Sequence, residues 1–395
     1  MHASYCGVIG AIMALKSSHR GQVSPFQVME VLRTANARAA AGQKILHLEI
    51  GQPGCSAPAQ VLEAARIALK EDKLGYTEAL GLPALRQRIA DFYQDRYGAR
   101  PPIERIAVVT GSSAGFVLAF LTAFDAGDQV ALAAPGYPAY RNILTSLDLK
   151  PVEILSGPAQ RFQPTPSLLD QVSGPLDGLI LASPSNPAGT MVDAPEMSAL
   201  ATYCQKRGIR LISDEIYHGI TYEGRKGVTA LTYSSDALII NSFSKYFCMT
   251  GWRLGWLIVP EDLIRPLECL MQNLYISAPA IAQKAALAAF DCSDELDANV
   301  ARYALNRELL LRELPKAGFD RLAPADGAFY LYADIGHLTN DSSAFCARIL
   351  DELGVAITPG VDFDPARGHS TLRISYAGDP CEIEEAAFLL KNWRR

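Results

Sequence analysis

Four short polar segments in this chain each follow a run of apolar, strand-like residues. Gly111-Ser112-Ser113-Ala114-Gly115 follows 106–110, and Ser183-Pro184-Ser185-Asn186-Pro187 follows 178–182. Asp214-Glu215-Ile216-Tyr217 follows 209–213, and Ser242-Phe243-Ser244-Lys245 follows 237–241. Together they carry an amine, a carboxylate, a phenol, an amide and several hydroxyls, a set that can move protons and hold an anion. Each has a plain structural explanation when taken alone. Asn-Pro is a common turn, an Asp at a strand end often caps a helix, and a single Lys after a strand is usually a solvated charge. Their joint placement says more, because ligands of open α/β sheets sit at the carboxyl ends of the strands.

One segment also fits a different chemistry. Gly111 to Gly115 matches GxSxG between a strand and a helix, the setting of a nucleophile elbow. Ser113 would be the nucleophile of a serine hydrolase, His337 or His369 the base, and an acidic residue would precede that histidine. A Gly/Ser loop that opens a helix is equally a phosphate cradle, since free N–H groups and the helix dipole point there. The hydrolase reading leaves the other three strand ends unexplained.

The segment 242–256 reads Ser-Phe-Ser-Lys-Tyr-Phe-Cys-Met-Thr-Gly-Trp-Arg-Leu-Gly-Trp. It resembles the fold-type-I pyridoxal-phosphate enzymes, specifically the class I/II aminotransferase family, whose signature is Ser-x-x-Lys followed by Arg in a Gly-x-Arg-x-Gly frame. Here these are Ser242, Lys245 and Arg253, flanked by Gly251 and Gly255. The resemblance runs in order from Gly51 to Arg373.

The resemblance implies pyridoxal 5'-phosphate as cofactor, held by Lys245 as a Schiff base, with the freed amine as the base that moves the Cα proton. Asp214 matches the carboxylate that pairs with the pyridinium nitrogen, so that the ring can accept electrons. Asn186 and Tyr217 match the donors to the phenolic oxygen, and Asn186 also borders the substrate. Ser112, Ser113, Ser242 and Arg253 match the phosphate-binding positions, and Tyr137 the ring that stacks on the pyridine. Tyr76 matches the residue that reaches the phosphate of a neighbouring subunit, which implies a homodimer with shared sites. Arg373 matches the arginine that forks onto the substrate α-carboxylate, with help from the Gly51 N–H. No metal is implied.

The implied reaction is transamination between an amino acid and a 2-oxo acid, by a ping-pong route. A carbon–sulfur β-lyase, or another lyase of the same fold, shares these motifs. A non-catalytic effector-binding domain would need a winged-helix module, for which the stretch before Ser24 is too short. Segment 271–277, Met-Gln-Asn-Leu-Tyr-Ile-Ser, has no Arg or Lys where dicarboxylate-specific members often carry one. A distal carboxylate without a cation would lose several kcal/mol to desolvation. Neutral substrates, aliphatic or aromatic, are therefore expected, with Asn273, Tyr275 and 328–332 near the side chain.

The bulk composition agrees with a globular enzyme. The 395 residues are 49% hydrophobic and 20% charged, with formal net charge −6 and no basic run. A nucleic-acid role is thereby disfavoured, and no apolar run reaches the length of a membrane span. Eight scattered cysteines form no CxxC pair or metal-like cluster, which points to reduced thiols and the cytoplasm. Residues 6–15 are apolar and as long as a signal-peptide core. No Lys or Arg precedes them, and Lys16 and Arg20 follow, which reverses the usual charge order. They are expected to form an N-terminal arm buried on the protein or on a partner subunit.

The elements that must position these groups follow from periodicity. Apolar runs at 106–110, 130–133, 151–155, 178–182, 209–213, 237–241 and 255–259 read as strands, several of them buried on both faces. Helical spacing at 24–41, 58–70, 114–124 and 195–207, with Pro58 at the first helical position, predicts helices. The expectation is an α/β fold with a mostly parallel seven-stranded sheet between helices. A short strand at 45–50 precedes it. After 281 the chain reads as helical to about 315, then strand-like at 328–333 and 371–376, with a last helix at 381–393. A smaller α/β domain is expected from both chain ends, giving an arm over 1–50, a large cofactor-binding domain over 51–282 and a small domain over 283–395.

Overall fold

The computed structural model describes residues 15–393. The expectation for the apolar N-terminal segment falls almost wholly outside the described residues. Leu15, its last member, is 95% exposed.

The central sheet has seven strands, here called β1 (Ile106–Val109), β2 (Gln129–Ala134), β3 (Lys150–Leu155), β4 (Gly178–Ala182), β5 (Arg210–Asp214), β6 (Leu238–Ser242) and β7 (Gly255–Ile258). Their spatial order is β1-β7-β6-β5-β4-β2-β3. β7 runs antiparallel to both its neighbours, and the other pairs, from β6 across to β3, are parallel. Side chains alternate between two cores. Val108, Leu179, Leu181, Leu211 and Ile239 join one cluster, and Ala107, Val109, Ile180, Ile212 and Ile240 join the other. Apolar side chains on both faces are what a sheet sandwiched between helix layers requires.

The parallel strands set the site. The ends of β4, β5 and β6 come out on one edge, and the antiparallel β7 begins there. Arg253, just before β7, therefore arrives beside groups that lie just after the other strands. The strand order reverses between β2 and β4, so the crevice opens there.

A second, four-stranded antiparallel sheet has the order Thr358–Pro359, Thr371–Ser375, Tyr330–Asp334, Arg321–Leu322. Arg373 stands in its second strand, opposite Tyr332 and Thr358. Leu46–His47 pairs in parallel with Val355–Ala356, so the two halves of the chain meet there.

Local chemistry explains the helix limits. Asp193 and Glu196 form a capping box at the start of Ala194–Arg207, and Gly208 ends that helix at φ 69°. Pro58 is a correction. It sits at the N-cap, one residue outside the helix Ala59–Glu71, with ψ 150°, so it sets the entry angle and does not begin the helix. Five α-helices have no counterpart in the expectations: Pro83–Tyr97, Pro138–Ser146, the single turn Pro166–Leu169, Glu261–Leu274 and Ser342–Leu353. Pro83–Tyr97 includes Arg86, Arg88, Asp91, Asp95 and Arg96 among its apolar residues, which blurs the helical period.

Candidate active site

The crevice holds a cavity of about 480 Å³. Gly51, Ser112, Ser113, Tyr137, Asn186, Asp214, Tyr217, Lys245, Arg253 and Arg373 all line it, brought together from distant points in the chain. Two predicted residues do not. Tyr76 is 81% exposed and lies elsewhere on the surface. Ser242 is buried behind the wall: its hydroxyl donates to the Leu254 carbonyl at 3.0 Å and accepts from the Ser244 N–H at 3.1 Å. Ser244 lines the cavity in its place.

Lys245 lies three residues beyond β6. Its Nζ donates to the Gly51 carbonyl at 2.6 Å and stands 5.7 Å from the Tyr217 ring centre. Lost hydration, then the charges of Arg373 and Arg253, lower its pKa to about 8, against a smaller opposite pull from Asp214. A lysine so placed is a free amine over much of the neutral-to-alkaline range.

Asp214 is the last residue of β5 and is buried. One oxygen accepts from the Ile216 N–H at 3.1 Å, and the other accepts from the Tyr140 hydroxyl. Burial raises its pKa to about 6 despite these donors. A carboxylate held this way stands ready for a buried cation. Its neighbour Glu215 is equally buried but does not line the cavity. It accepts from Ala230 N–H at 3.0 Å, Ser213 Oγ at 3.1 Å and Tyr93 Oη at 3.2 Å. Adjacent carboxylates thus divide between site and scaffold.

Tyr217 and Tyr330 share a hydroxyl–hydroxyl bond of 2.7 Å, and burial holds the Tyr217 phenol well above its usual range. Arg373 is 3% exposed. Its Nη1 donates to Asn186 Oδ1 at 2.9 Å and Nη2 to the Glu49 carbonyl, while the guanidinium lies 4.3 Å over the Tyr330 ring. A β-carbon at Gly51 would collide with the Tyr330 hydroxyl, so only glycine lets the loop approach.

Two observations test whether these residues fit a phosphate-bearing cofactor and a carboxylate substrate. The helix Ser112–Ala123 has no side-chain cap and no acidic residue in its first turn, which leaves its positive end to a ligand. Gly111, at φ 81°, carries no Cβ, and one placed there would come within 2.5 Å of the Arg253 guanidinium. Backbone and cation can then converge on one anion. In addition, Arg373 Nε is buried with no hydrogen-bond partner, so a donor remains for a substrate carboxylate. The residues fit the group.

The hydrolase reading finds no base here. His337 Nε2 bonds the Gly318 carbonyl at 2.9 Å, and His369 lines another cavity. No histidine among the described residues lines the one that contains Ser113. Among those residues no group of His, Cys, Asp and Glu could hold a metal ion, and no helix is long and apolar enough to cross a membrane.

The sequence matches the family model for aminotransferase class I and II over residues 43–388. The chain belongs to that family. It is 50% identical to valine–pyruvate aminotransferase of Mycobacterium tuberculosis, over 95% of this chain and 97% of that protein. It is 35% identical to (5-formylfuran-3-yl)methyl phosphate transaminase of Methanocaldococcus jannaschii, over 93% and 96%. The crystal structure of an aminotransferase from Mycobacterium tuberculosis superposes with a TM-score of 0.94 at 49% identity, covering 96% of this chain and 99% of that one. This aminotransferase is therefore an enzyme that transfers amino groups, with the α/β fold expected from the sequence.

Sequence reading missed several residues of the site. Tyr140, Ser244, Thr250, Phe26, Val28 and Met29 all line the cavity. Tyr140 had a weak local signal, one helical turn after Tyr137. The helix Gln27–Ala40 brings Val28 and Met29, and it has no cap of its own. Asp362 caps it from afar, accepting from the Gln27 N–H at 3.0 Å and the Val28 N–H at 3.1 Å. Asn273 and Tyr275, expected near the substrate side chain, do not line the cavity. Asn273 is on the exposed side of its helix, with its amide on the Cys269 carbonyl at 2.8 Å.

Proposed function

We propose that this aminotransferase uses pyridoxal phosphate on Lys245 and takes a neutral, mainly aliphatic amino acid as donor. The observation that carries the reading is the cavity's division of labour: Lys245, Asp214 and Arg373 converge in it beneath a wall formed by Phe26, Val28 and Met29. Among the described residues, its only Lys or Arg residues are Lys245, Arg253 and Arg373, each already allotted. A second substrate carboxylate would find no further cation, and its burial would cost several kcal/mol. The relative named for valine and pyruvate supports the same direction.

When bound, pyridoxal phosphate supplies an electron sink for the electrons released at the substrate Cα. The chain's own groups do the rest. The Ser112–Ala123 helix start, with Ser112, Ser113, Ser244 and Arg253, holds the phosphate. Asp214, its orientation fixed by the Tyr140 hydroxyl, would pair as a carboxylate with the ring nitrogen. Asn186 and Tyr217, which line the cavity, would donate to the phenolic oxygen, and Tyr137 would cover the ring. Arg373 forks onto the α-carboxylate and sets which Cα bond faces Lys245. With the cofactor bound, the Lys245 amine would take the proton from the substrate Cα and then hold it for return. Arg373 and the apolar wall exclude water while it does so.

We place these residues in a large domain over 51–282 and a small domain over 283–395, with the arm 1–50. The pairing of Leu46–His47 with Val355–Ala356 supports a small unit made from both ends. The exposed Tyr76 fits a homodimer in which it completes the partner's site, and the scattered thiols fit the cytoplasm.

A panel of amino acids, each assayed for single-turnover conversion of the bound cofactor to its amine form, tests the substrate reading. Valine, alanine and leucine should react faster than aspartate at equal concentration. An aspartate kcat/KM well above the others would overturn it and leave the cofactor assignment standing. Full activity of a dilute monomer would overturn the shared site.

A further inference from the structure

Two cysteines far apart in sequence meet behind the catalytic lysine. Cys55 Sγ and Cys248 Sγ lie 3.1 Å apart. The Tyr303 hydroxyl approaches Cys55 at 3.7 Å, and Asn299 Nδ2 approaches Cys248 at 3.6 Å. Cys248 is 5% exposed, whereas Cys55 is partly open. Both border a solvent-reached cavity of about 590 Å³, which adjoins the crevice at Gln52 and Thr250.

Both cysteines are wired to Lys245. The Cys248 N–H donates to the Lys245 carbonyl at 3.1 Å, in a turn where Cys248 has φ 55°. Cys55 closes the loop that begins at Gly51, whose carbonyl accepts from Lys245 Nζ at 2.6 Å. The Gly54 N–H anchors that loop on the Ala377 carbonyl at 3.0 Å.

We propose that Cys55 and Cys248 form an oxidisable dithiol, and that their cross-link restrains the Gly51–Cys55 loop against the Lys245 turn and suppresses turnover. Cys55 is the attacking sulfur. The Cys248 thiol beside it, helped by Tyr303 and Arg302, lowers its pKa against the opposing effect of burial, while the hydrogen bond to Cys55, burial and the Cys55 charge keep the proton on Cys248. With hydrogen peroxide the Cys55 thiolate attacks one oxygen, and the O–O bond breaks. Cys55 becomes a sulfenic acid, and the departing hydroxide takes up a proton as water. Cys248 then gives up its proton and attacks the Cys55 sulfur. The S–O bond breaks, the S–S bond forms, and a second water leaves. Two thiols lose two electrons and two protons, and one peroxide becomes two waters. Bringing the sulfurs from 3.1 Å to bonding distance shortens the gap by about 1 Å. A shift of about 1 Å near reacting groups costs up to roughly a hundredfold in rate.

The test treats the intact holoenzyme with excess hydrogen peroxide and maps its peptides. A Cys55–Cys248 cross-link is expected, with turnover reduced roughly ten- to hundredfold and restored by dithiothreitol. Once the cofactor is removed from the treated enzyme, Lys245 labelling by trinitrobenzenesulfonate should be slower in the cross-linked chain than in the reduced one. Cys55→Ser should keep its basal turnover and resist peroxide. Cys248→Ala should halt at a sulfenic acid on Cys55 that dimedone traps. The proposal falls if no cross-link forms, if the cross-linked enzyme keeps full turnover, or if Cys55→Ser loses activity as fast as the unaltered chain. A chain without any transamination would sink the proposed function, while the cross-link map and Lys245 labelling would still decide this one.

Discussion

The floor and the roof of the cavity are built on different principles. Lys245, Asp214 and Asn186 stand on or just past β4, β5 and β6, neighbouring parallel strands whose ladders fix them in register. The roof is the helix Gln27–Ala40, held at its N-terminus by one carboxylate, Asp362, from a segment more than 330 residues on. Buried strands with apolar side chains on both faces cannot shift without disturbing both cores, whereas a helix end held by two hydrogen bonds can. Under the proposed function, the floor carries the chemistry and the roof the choice of side chain. Changes in the floor should strike kcat, and changes in the roof should strike KM for particular substrates.

The largest effect tests the floor. Lys245→Ala should lower kcat by about 10⁴-fold, the upper end for a general base, while cofactor absorbance persists on the protein. A variant with near-normal kcat would place the proton-moving base elsewhere. The same lysine gives a pH signature. Only its neutral form reacts, so trapping of pyridoxal phosphate by the cofactor-free chain should rise with pH and level off above about 8. A midpoint near the 10.5 of an ordinary lysine would mean that the amine is solvated.

Asp214→Ala should come next, with kcat down by roughly 10²–10³-fold, the cost of losing one preorganised charge. Bound cofactor should remain, because the carboxylate acts mainly when charge develops on the ring. Near-normal turnover would reduce Asp214 to a turn residue that serves the Ile216 N–H.

Arg373 meets the floor through Asn186. Arg373→Lys removes the fork and leaves a point charge, at about 1.5–3 kcal/mol for a charge-assisted pair. KM for every amino acid should rise roughly ten- to hundredfold, by similar factors for valine and aspartate. A substrate-dependent change would move Arg373 from the α-carboxylate to the side-chain end.

The smallest effect sharpens the roof. Asp362→Asn keeps the shape but loses one of two capping bonds and the charge at a helix N-terminus, about 1 kcal/mol. KM for valine should rise roughly fivefold with kcat nearly unchanged, and hydrogen exchange over 27–40 should quicken. An equal loss in kcat would show that the roof also positions the reacting atoms.

What the sequence determined by itself was the sheet and most of the floor. Strands such as Gly178–Ala182 are continuous apolar runs, and the polar groups just beyond them are local features of the chain. Their types and spacing from Ser242 to Trp256 carried the family as well. The tertiary structure decided the rest, because the contacts that make it join residues with no local pattern. Tyr140 meets Asp214 across 74 positions, Tyr330 meets Tyr217 across 113, and Asp362 meets Val28 across 334. Ser242 ends β6 and spends its hydroxyl on the Leu254 carbonyl, whereas Ser244, two residues on, lines the cavity. Hydrophobic period reports which face is buried and not which partner it meets. The roof, the clamp on Asp214 and the thiol pair behind Lys245 became visible only when the chain was folded.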